Sequence, residues 1–303
     1  MDENGDAHEA SGATEERYRA MSGTLYVVAT PVGNLRDLTL RALDILGSVD
    51  VIAAEDTRVT GVLLRHYGIA TRPLALHEHN EAARAGEIVS MLDGGRSVAL
   101  VSDAGTPGVS DPGARLVRSV GDAGFHVVPI PGASAAIAAF SVAGLRAERF
   151  IFLGFLAGST KAQRELLTAL AHLPFALVIY EAPHRVRATT DRLAEALGGD
   201  RMLVIAHEIT KKFETIARMP LADAAHWFAA DPNHARGEFV LLVDAPTQLE
   251  AATGASEPDA QRLLAALVTE LSPARAARVA AAATGLPREK LYAQAIALKG
   301  NRS

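Results

Sequence analysis

The chain has 303 residues, of which 49% are hydrophobic and 21% are charged, and it contains no cysteine. This length allows two domains of ordinary size with a sizeable core. The lack of cysteine excludes disulfides, thiolate metal sites and cysteine nucleophiles, and it fits a reducing, cytoplasmic compartment. No apolar run is long enough to span a bilayer, and the polar, acidic amino terminus does not resemble a signal peptide. The formal net charge of −5 gives no overall sign of a nucleic-acid-binding protein.

The amino-terminal residues 1–21 lack hydrophobic periodicity and are predicted to form a disordered tail, with Met21 as a candidate for the true start. From Thr24 onward, short apolar strands alternate with amphipathic helices. This alternation predicts an α/β domain over residues 22–145, with parallel βαβ units in a sheet covered on both faces. Thr39 is predicted to cap the first helix.

The second half of the chain predicts a smaller α/β domain with a mixed sheet over residues 146–246. Within it, the segments 213–219 and 238–244 are predicted to pair as β-strands. Residues 247–258 are polar and predict a linker. Residues 259–303 predict a helical tail that resembles a helix-turn-helix, with Pro273 at the first position of one helix.

The helical tail carries an excess of positive charge, which makes it a possible contact for a polyanion. A solvated helical face explains the same pattern more simply. Over residues 273–303 the basic side chains are Arg275, Arg278, Arg288, Lys290, Lys299 and Arg302, against the single acid Glu289.

Five loops of unusual composition follow strands in the first half of the chain. Because the carboxyl ends of parallel strands meet at one edge of a sheet, these loops are expected to line a single crevice. The segment from Ser102 to Gly113 is the most informative of them, since its glycines and prolines favour a rigid binding cradle. The loops are 30–34, 55–58, 77–81, 102–113 and 131–135.

Several familiar signatures are missing from the sequence. No G-x-G-x-x-G follows the first strand and no P-loop motif occurs, which disfavours a Rossmann dinucleotide domain and a P-loop phosphotransferase. No serine lies in a nucleophile elbow. His77 and His79 share a strand face but lack a third ligand at a suggestive spacing, so no metal site is predicted.

The ordered set of motifs resembles the bacterial ribosomal RNA small-subunit methyltransferase I family. The resemblance covers residues 24–245. It rests on the five loops and on three segments of the second half of the chain, 152–155, 180–185 and 208–211. It implies a tetrapyrrole-methylase-like, class III fold with S-adenosylmethionine in the cleft between two α/β domains. It also implies 2′-O-methylation of one cytidine ribose in the decoding region of 16S rRNA within the 30S subunit, by a homodimer without membrane contact.

The resemblance assigns cofactor-binding roles residue by residue. The residues implied are Pro31, Gly33, Asp103, Ala104, Gly105, Thr106, Gly132, Ala133 and Ser134 in the first domain, and Tyr180, Glu181 and Ala182 in the second. Two positions depart from the family pattern: Ala133 stands where Pro is common, and His207 stands where Arg is common.

Methyl transfer to a ribose hydroxyl requires a group that accepts the hydroxyl proton. The leading candidates are Glu55, Asp56 and Asp103, followed by Glu181 and His184, although one of the two acids at 55–56 is equally explained as a helix N-cap. Phosphate contacts are expected from basic side chains on or beside the motif loops. These are Arg36, Arg58, Arg185, Lys211 and Lys212.

Two other functions fit parts of the sequence. One is a tetrapyrrole (precorrin-type) methyltransferase of the same fold, which would be expected to lack the helical tail. The other is a non-catalytic, cofactor-binding factor in ribosome assembly, which the number of carboxylates at the predicted cleft disfavours.

Overall fold

The computed structural model of the protein describes residues 18–156, 158–247, 257–284 and 286–300. The chain divides into two compact units between Ser134 and Ala135. This division falls one helix before the predicted boundary near residue 145, because the helix that follows Ser134 packs on the second sheet. Among the described residues, no helix has the length and apolar character needed to cross a membrane.

The first unit contains a five-stranded parallel sheet in the order β3-β2-β4-β1-β5. The alternation of strands and helices therefore produces the parallel βαβ arrangement that was predicted. The strands are β1 (Thr24–Val28), β2 (Val51–Ala54), β3 (Pro73–Ala75), β4 (Val98–Val101) and β5 (His126–Ile130), and the helices are α1 (Leu40–Ser48), α2 (Thr57–His66), α3 (Glu81–Asp93) and α4 (Ala114–Asp122).

Helices cover both faces of this sheet because the central strands are apolar on both sides. Along β4, Ala99 and Val101 belong to one buried cluster, while Val98 and Leu100 belong to another. This split follows from the two-residue period of a strand, which sends successive side chains to opposite faces. The first helix begins where predicted, since the Thr39 side chain accepts the backbone N–H of Ala42 at 3.2 Å.

The second unit contains a mixed sheet, as predicted, but with five strands it is no smaller than the first. Its strand order is β6-β7-β10-β8-β9, and only the β6–β7 pair is parallel. The strands are β6 (Phe150–Phe155), β7 (Ala176–Glu181), β8 (Met202–His207), β9 (Thr215–Pro220) and β10 (Phe239–Val243), and the helices are α5 (Ala135–Ala143), α6 (Thr160–Leu170), α7 (Val186–Leu197) and α8 (Ala224–Ala230).

The predicted pairing between segments 213–219 and 238–244 is wrong. β8 lies between β9 and β10 and pairs antiparallel with both of them. The burial of the strands explains the order. β8 and β10 are almost wholly buried and take central positions, whereas β9 is half-exposed and lies at the edge.

Three helices form the tail: α9 (Glu257–Glu270), α10 (Pro273–Thr284) and α11 (Arg288–Gly300). They share a buried cluster of their own, which includes Leu264, Ala277 and Leu291. The predicted linker lies mostly at positions 248–256, outside the described residues, and α9 begins before the predicted end of that linker.

The predicted disordered tail at 1–21 also lies largely outside the described residues, at positions 1–17. The four residues that follow are ordered. The backbone N–H of Tyr18 donates to Asp44, and that of Met21 donates to the hydroxyl of Tyr26. The prediction of disorder is therefore wrong for residues 18–21. Hydrogen bonds to other residues of the first unit hold them in place.

Candidate active site

The loop that follows β4 forms the centre of the candidate site. β4 lies between β2 and β1 in the sheet, so its loop lies between the loops that leave those two strands. Thr30 and Gly105 join two of the loops through a pair of backbone hydrogen bonds of 2.8 and 3.0 Å. Gly105 has a φ of 84°, a left-handed conformation that favours glycine. The sequence motif at this position therefore has a definite backbone function.

Two carboxylates tie the loop after β2 to the loop after β4. The backbone N–H of Asp103 donates to Glu55 Oε2 at 3.3 Å, and the backbone N–H of Asp56 donates to Asp103 Oδ1 at 3.0 Å. The structure thus brings together all three predicted catalytic acids. Asp56 also caps α2, since its side chain accepts the backbone N–H of Arg58 at 2.8 Å. The alternative N-cap interpretation is therefore correct for Asp56.

The neighbouring acids differ in their affinity for protons. Two hydrogen bonds and the charge of Arg58 hold the pKa of Asp56 at about 2. Burial raises the pKa of Glu55, with a further contribution from the charges of Asp103 and Asp56. Burial likewise raises the pKa of Asp103. Asp56 is consequently a very weak base, whereas Glu55 and Asp103 are better proton acceptors.

Asp111 belongs to the same cluster, although no sequence motif predicted a role for it. Burial and the negative charges of Glu55 and Asp103 raise its pKa to about 6, and a hydrogen bond from Ser102 partly opposes that rise. The signal for this residue was its position, since it lies in the same loop after β4 as Asp103. Sequence spacing gives no sign that the loop folds back toward Glu55.

Glu81 is a second residue without an assigned role, and it anchors the far end of the loop. Its Oε1 atom accepts backbone N–H groups from Gly113, Arg115 and Leu116 at 2.9–3.2 Å. The carboxylate is buried and lies at the amino terminus of α4, where the helix dipole favours negative charge. The predicted loop at 77–81 therefore joins the site by holding the 102–113 loop.

The loop after β5 contacts the same centre. The Thr106 hydroxyl donates to the carbonyl oxygen of Ala133 at 3.2 Å. Gly132 packs against Ala29, the residue that follows β1, and a Cβ atom at position 132 would lie 3.0 Å from that of Ala29. Loops from all five strands of the first sheet are therefore connected around residues 102–113.

A cavity of about 270 Å³ opens beside this centre in the first unit. Its polar lining consists of Thr30, Thr60, Ser102 and Asp103. The remaining lining is apolar and comes from the loop after β1 and from α2. These residues are Pro31, Leu35, Val59, Val62 and Leu63.

Comparison with known proteins identifies the family of this chain. The family model for tetrapyrrole (corrin/porphyrin) methylases matches residues 24–225, and a model described as the RsmI C-terminal HTH domain matches residues 254–299. The ribosomal RNA small subunit methyltransferase I of Pseudomonas aeruginosa is 47% identical over 92% of this chain and 99% of its own length. That of Xylella fastidiosa is 48% identical over 89% of this chain and 98% of its own.

The chain belongs to the ribosomal RNA small subunit methyltransferase I family.

Solved structures show that the family's fold is that of the tetrapyrrole methylases. Cobalt precorrin-4 methyltransferase aligns with a TM-score of 0.57 at 18% identity and covers 73% of this chain and 95% of its own. The methyltransferase CobJ aligns with a TM-score of 0.57 at 24% identity over 74% of this chain and 95% of its own. At these identities the likeness concerns the fold alone. The predicted fold class, with its helical tail, is confirmed.

The residues that the family resemblance placed near the cofactor differ in exposure. In the first unit, Gly33 and Ala104 are exposed and Ser134 is half-buried. In the second unit, the Tyr180 hydroxyl accepts the backbone N–H of Ala136 at 3.1 Å. The Glu181 carboxylate is buried, and it accepts the N–H of Ala182 at 2.8 Å. The cofactor roles of these residues stay predictions.

Two of the expected phosphate-binding residues of this family member are engaged in ion pairs. The Arg185 guanidinium contacts Glu181 Oε1 at 2.8 Å. The Lys211 ammonium contacts Glu208 and Glu238, each at 2.8 Å. Both cations therefore stabilise local structure, and binding a phosphate would compete with these carboxylates.

The other three basic residues present their side chains to solvent. Arg36 is exposed on the loop after β1. Arg58 is paired with Asp56, yet its side chain is 89% exposed. The Lys212 ammonium lies 5.6 Å from the ring centre of Phe213, and that ring is 71% exposed. These three side chains are the more accessible candidates for contact with a polyanion.

The departure from the family pattern at position 207 has a structural explanation. His207 is buried at the end of β8, where its ring stacks on Phe239 with centroids 4.8 Å apart. Its Nε2 lies 2.6 Å from the carbonyl oxygen of Arg236. The histidine therefore belongs to the packing of the second sheet.

Proposed function

We propose that this protein transfers a methyl group from S-adenosylmethionine to the 2′-oxygen of a cytidine ribose in small-subunit ribosomal RNA. The observation that carries the proposal is the junction of loops at Asp103, where carboxylates of unequal pKa meet beside a cavity. The names of the relatives, which span nearly the whole chain, support ribosomal RNA as the substrate.

The chemistry of the loop junction fits a cationic methyl donor. Glu55, Asp103 and Asp111 place negative charge near one another. The carbonyl oxygens of Ser102 and Gly105 accept hydrogen bonds from the Thr30 hydroxyl. Oxygen atoms of this kind stabilise a positively charged sulfonium and an ammonium group. When bound, S-adenosylmethionine supplies an activated methyl group. The residues proposed to hold it are those that the family resemblance names individually, of which Pro31 is the first and Ala182 the last.

We infer that Asp103 accepts the proton of the ribose hydroxyl. It lines the cavity, and its raised pKa makes it a stronger base than Asp56. The hydrogen bond from the backbone N–H of Asp56 to Oδ1 fixes the orientation of the carboxylate. A base positioned in this way raises the nucleophilicity of the oxygen and contributes about 10²–10⁴-fold to such reactions.

Phosphate binding is proposed for the well-exposed cations Arg36, Arg58 and Lys212, although Arg58 also pairs with Asp56, in preference to the less exposed Arg185 and Lys211. The helical tail is proposed as a further contact with ribosomal RNA. Its support is the match to a helix-turn-helix family model together with its basic charge. The resemblance also supports the assembled 30S subunit as the substrate, a cytoplasmic location and a homodimer as the working form.

The test is methyl transfer from labelled S-adenosylmethionine to 30S subunits isolated from a strain that lacks this gene. We expect one new 2′-O-methylcytidine in 16S rRNA, located by mapping the modified nucleotides. Naked 16S rRNA and a precorrin serve as alternative acceptors in parallel reactions. Absence of label in 30S subunits, or label in the precorrin, would refute the proposal.

A further inference from the structure

The wall of the cavity in the first unit includes apolar side chains on the outer surface of α2. Val59 and Val62 line the cavity, and they are 45% and 53% exposed. An amphipathic surface helix normally places polar side chains at exposed positions of this kind. Together with Pro31 and Leu35 on the facing loop, these valines form an apolar slot that opens to solvent.

Thr60, one of the polar residues that line the cavity, has a buried hydroxyl with no partner within the described structure. Thr60 lines the cavity and is 3% exposed, and its Oγ1 atom is buried without any hydrogen bond. A buried hydroxyl without a partner costs about 1–3 kcal/mol, so native proteins seldom retain one. Ser102 and Asp103 lie in the same lining. The cavity therefore combines apolar walls with polar groups that can bind a ligand.

Positive charge lies beside the slot. Arg58 precedes Val59 on α2, and Arg36 follows Leu35 on the facing loop, and both are exposed. A ligand that inserts an apolar, planar body between the valines and Leu35 can therefore carry its negative charges toward the two guanidinium groups. A nucleotide that has left its stack in single-stranded RNA has this combination of a planar base and flanking phosphates.

We propose that this cavity, lined by Val59, Thr60, Val62 and Asp103, receives the target nucleoside of the RNA substrate in an unstacked conformation. The inference rests on the proposed function and assigns a location to the acceptor. The base lies between Leu35 and the two valines, and the Thr60 hydroxyl hydrogen-bonds to the nucleoside. The ribose then lies on the side of Asp103, the proposed proton acceptor.

The cavity is small, and part of its lining has no assigned role in binding the methyl donor. At about 270 Å³ it lies just below the roughly 300–1,000 Å³ range of pockets that enclose drug-sized ligands. The resemblance assigns Pro31 and Asp103 of the lining to the methyl donor, whereas it assigns no role in donor binding to the apolar wall formed by Leu35, Val59, Val62 and Leu63.

The test compares steady-state constants of the full-length variants Val62→Gln and Thr60→Val with those of Leu40→Gln. Leu40 is a matched control because it is 71% exposed on α1 and does not line the cavity. The acceptor is 30S subunits from a strain that lacks the gene. We expect the KM for 30S subunits to rise about fivefold or more in both cavity variants, as for the loss of one base contact. The dissociation constant for S-adenosylmethionine and the constants of Leu40→Gln should stay unchanged.

Thr60→Val adds a measurement that a purely structural role would not reproduce. Replacing an unpartnered hydroxyl with a methyl group should leave the melting temperature unchanged or raise it, while the KM for 30S subunits still increases. An unchanged KM in both variants overturns the inference, and so does weaker binding of S-adenosylmethionine, which would assign the cavity to the methyl donor. Lack of methylation by the wild-type protein would instead refute the proposed function.

Discussion

At the scale of single residues, the site depends on how the surroundings of each carboxylate change its affinity for protons. Asp56 and Asp103 are hydrogen-bonded neighbours, yet their pKa values move in opposite directions. Asp56 faces a guanidinium and two backbone N–H groups, which favour its charged form. Asp103 is partly withdrawn from water near other acids, which disfavours the charged form. The chemical roles of the two acids therefore differ.

The variant Asp103→Asn tests the assignment of the base. Asparagine keeps an oxygen that can accept the N–H of Asp56 but cannot accept the substrate proton. We expect kcat to fall about 100-fold or more, a larger effect than the weaker binding of S-adenosylmethionine that loss of the Asp103 charge also causes. Asp56→Asn is the matched control, since asparagine also caps helices well and should retain most of the activity. Single-turnover methylation of 30S subunits measures both variants, and the reverse ranking would contradict the assignment.

Asp111 provides a prediction about pH and stability. Its pKa of about 6 in the folded protein exceeds the ordinary value of 3.8. The folded state therefore binds the proton more tightly than the unfolded state, and stability falls as the pH rises from about 4 to about 6. Asp111→Asn removes this cost. At pH 8 the variant should be more stable than the wild type by about 1 kcal/mol, a value discounted for solvent screening.

At pH 3.5 this gain from Asp111→Asn should largely disappear, because the wild-type carboxyl is then protonated in the folded state and mostly protonated in the unfolded state. Urea unfolding of the two proteins across this pH range measures the difference. Asp122→Asn, at an exposed position in α4, is the control for loss of one negative charge. A gain for Asp111→Asn that is equal at both pH values would show that burial of its charge is not the cause.

At the scale of secondary-structure elements, the amino terminus of α4 holds the loop after β4 in place. Gly113 has a φ of 129°, and its N–H donates to Glu81. A Cβ atom at this position would lie 2.7 Å from Leu100 Cδ2 on β4. The position therefore requires glycine for both its backbone conformation and its packing.

Gly113→Ala should lower the free energy of unfolding by about 2 kcal/mol, since strain at a positive φ and the contact with Leu100 add together. Gly121→Ala is the matched control, because this glycine lies within α4 and has open space around its Cβ position. That substitution should stabilise the protein by about 0.5–1 kcal/mol through helix propensity. Chemical denaturation measures both variants, and equal effects of the two would contradict this account of Gly113.

At the scale of the whole molecule, the tail has a buried cluster drawn from its own three helices. A chain that ends at residue 246 should therefore keep both sheets and its affinity for S-adenosylmethionine. Its KM for 30S subunits should rise about tenfold or more, because the basic tail is proposed to bind ribosomal RNA. Circular dichroism, donor binding and methylation assays measure these properties, and an unchanged KM would exclude the tail from substrate binding.

Most of the helices and strands, and the family, can be read from local patterns in the amino-acid sequence. Hydrophobic periods of two and 3.6 residues are local properties, and the cap at Thr39 and the helix start at Pro273 can be recognised within a few residues. The order of motifs along the chain identified the family without any contact being known. The set of loops after the strands also predicted which edge of the first sheet carries the site.

The way in which those parts act together follows from the folded structure, because the contacts that matter join residues far apart in the chain. The position of β4 between β2 and β1 brings Asp103 to Glu55, and the return of the loop adds Asp111. Packing likewise decides three other features. They are the ion pairs of Arg185 and Lys211, the unpartnered hydroxyl of Thr60 and the central position of β8. The burial of a residue and the pKa of its side chain depend on all of its neighbours in space, and a local sequence pattern does not specify those neighbours.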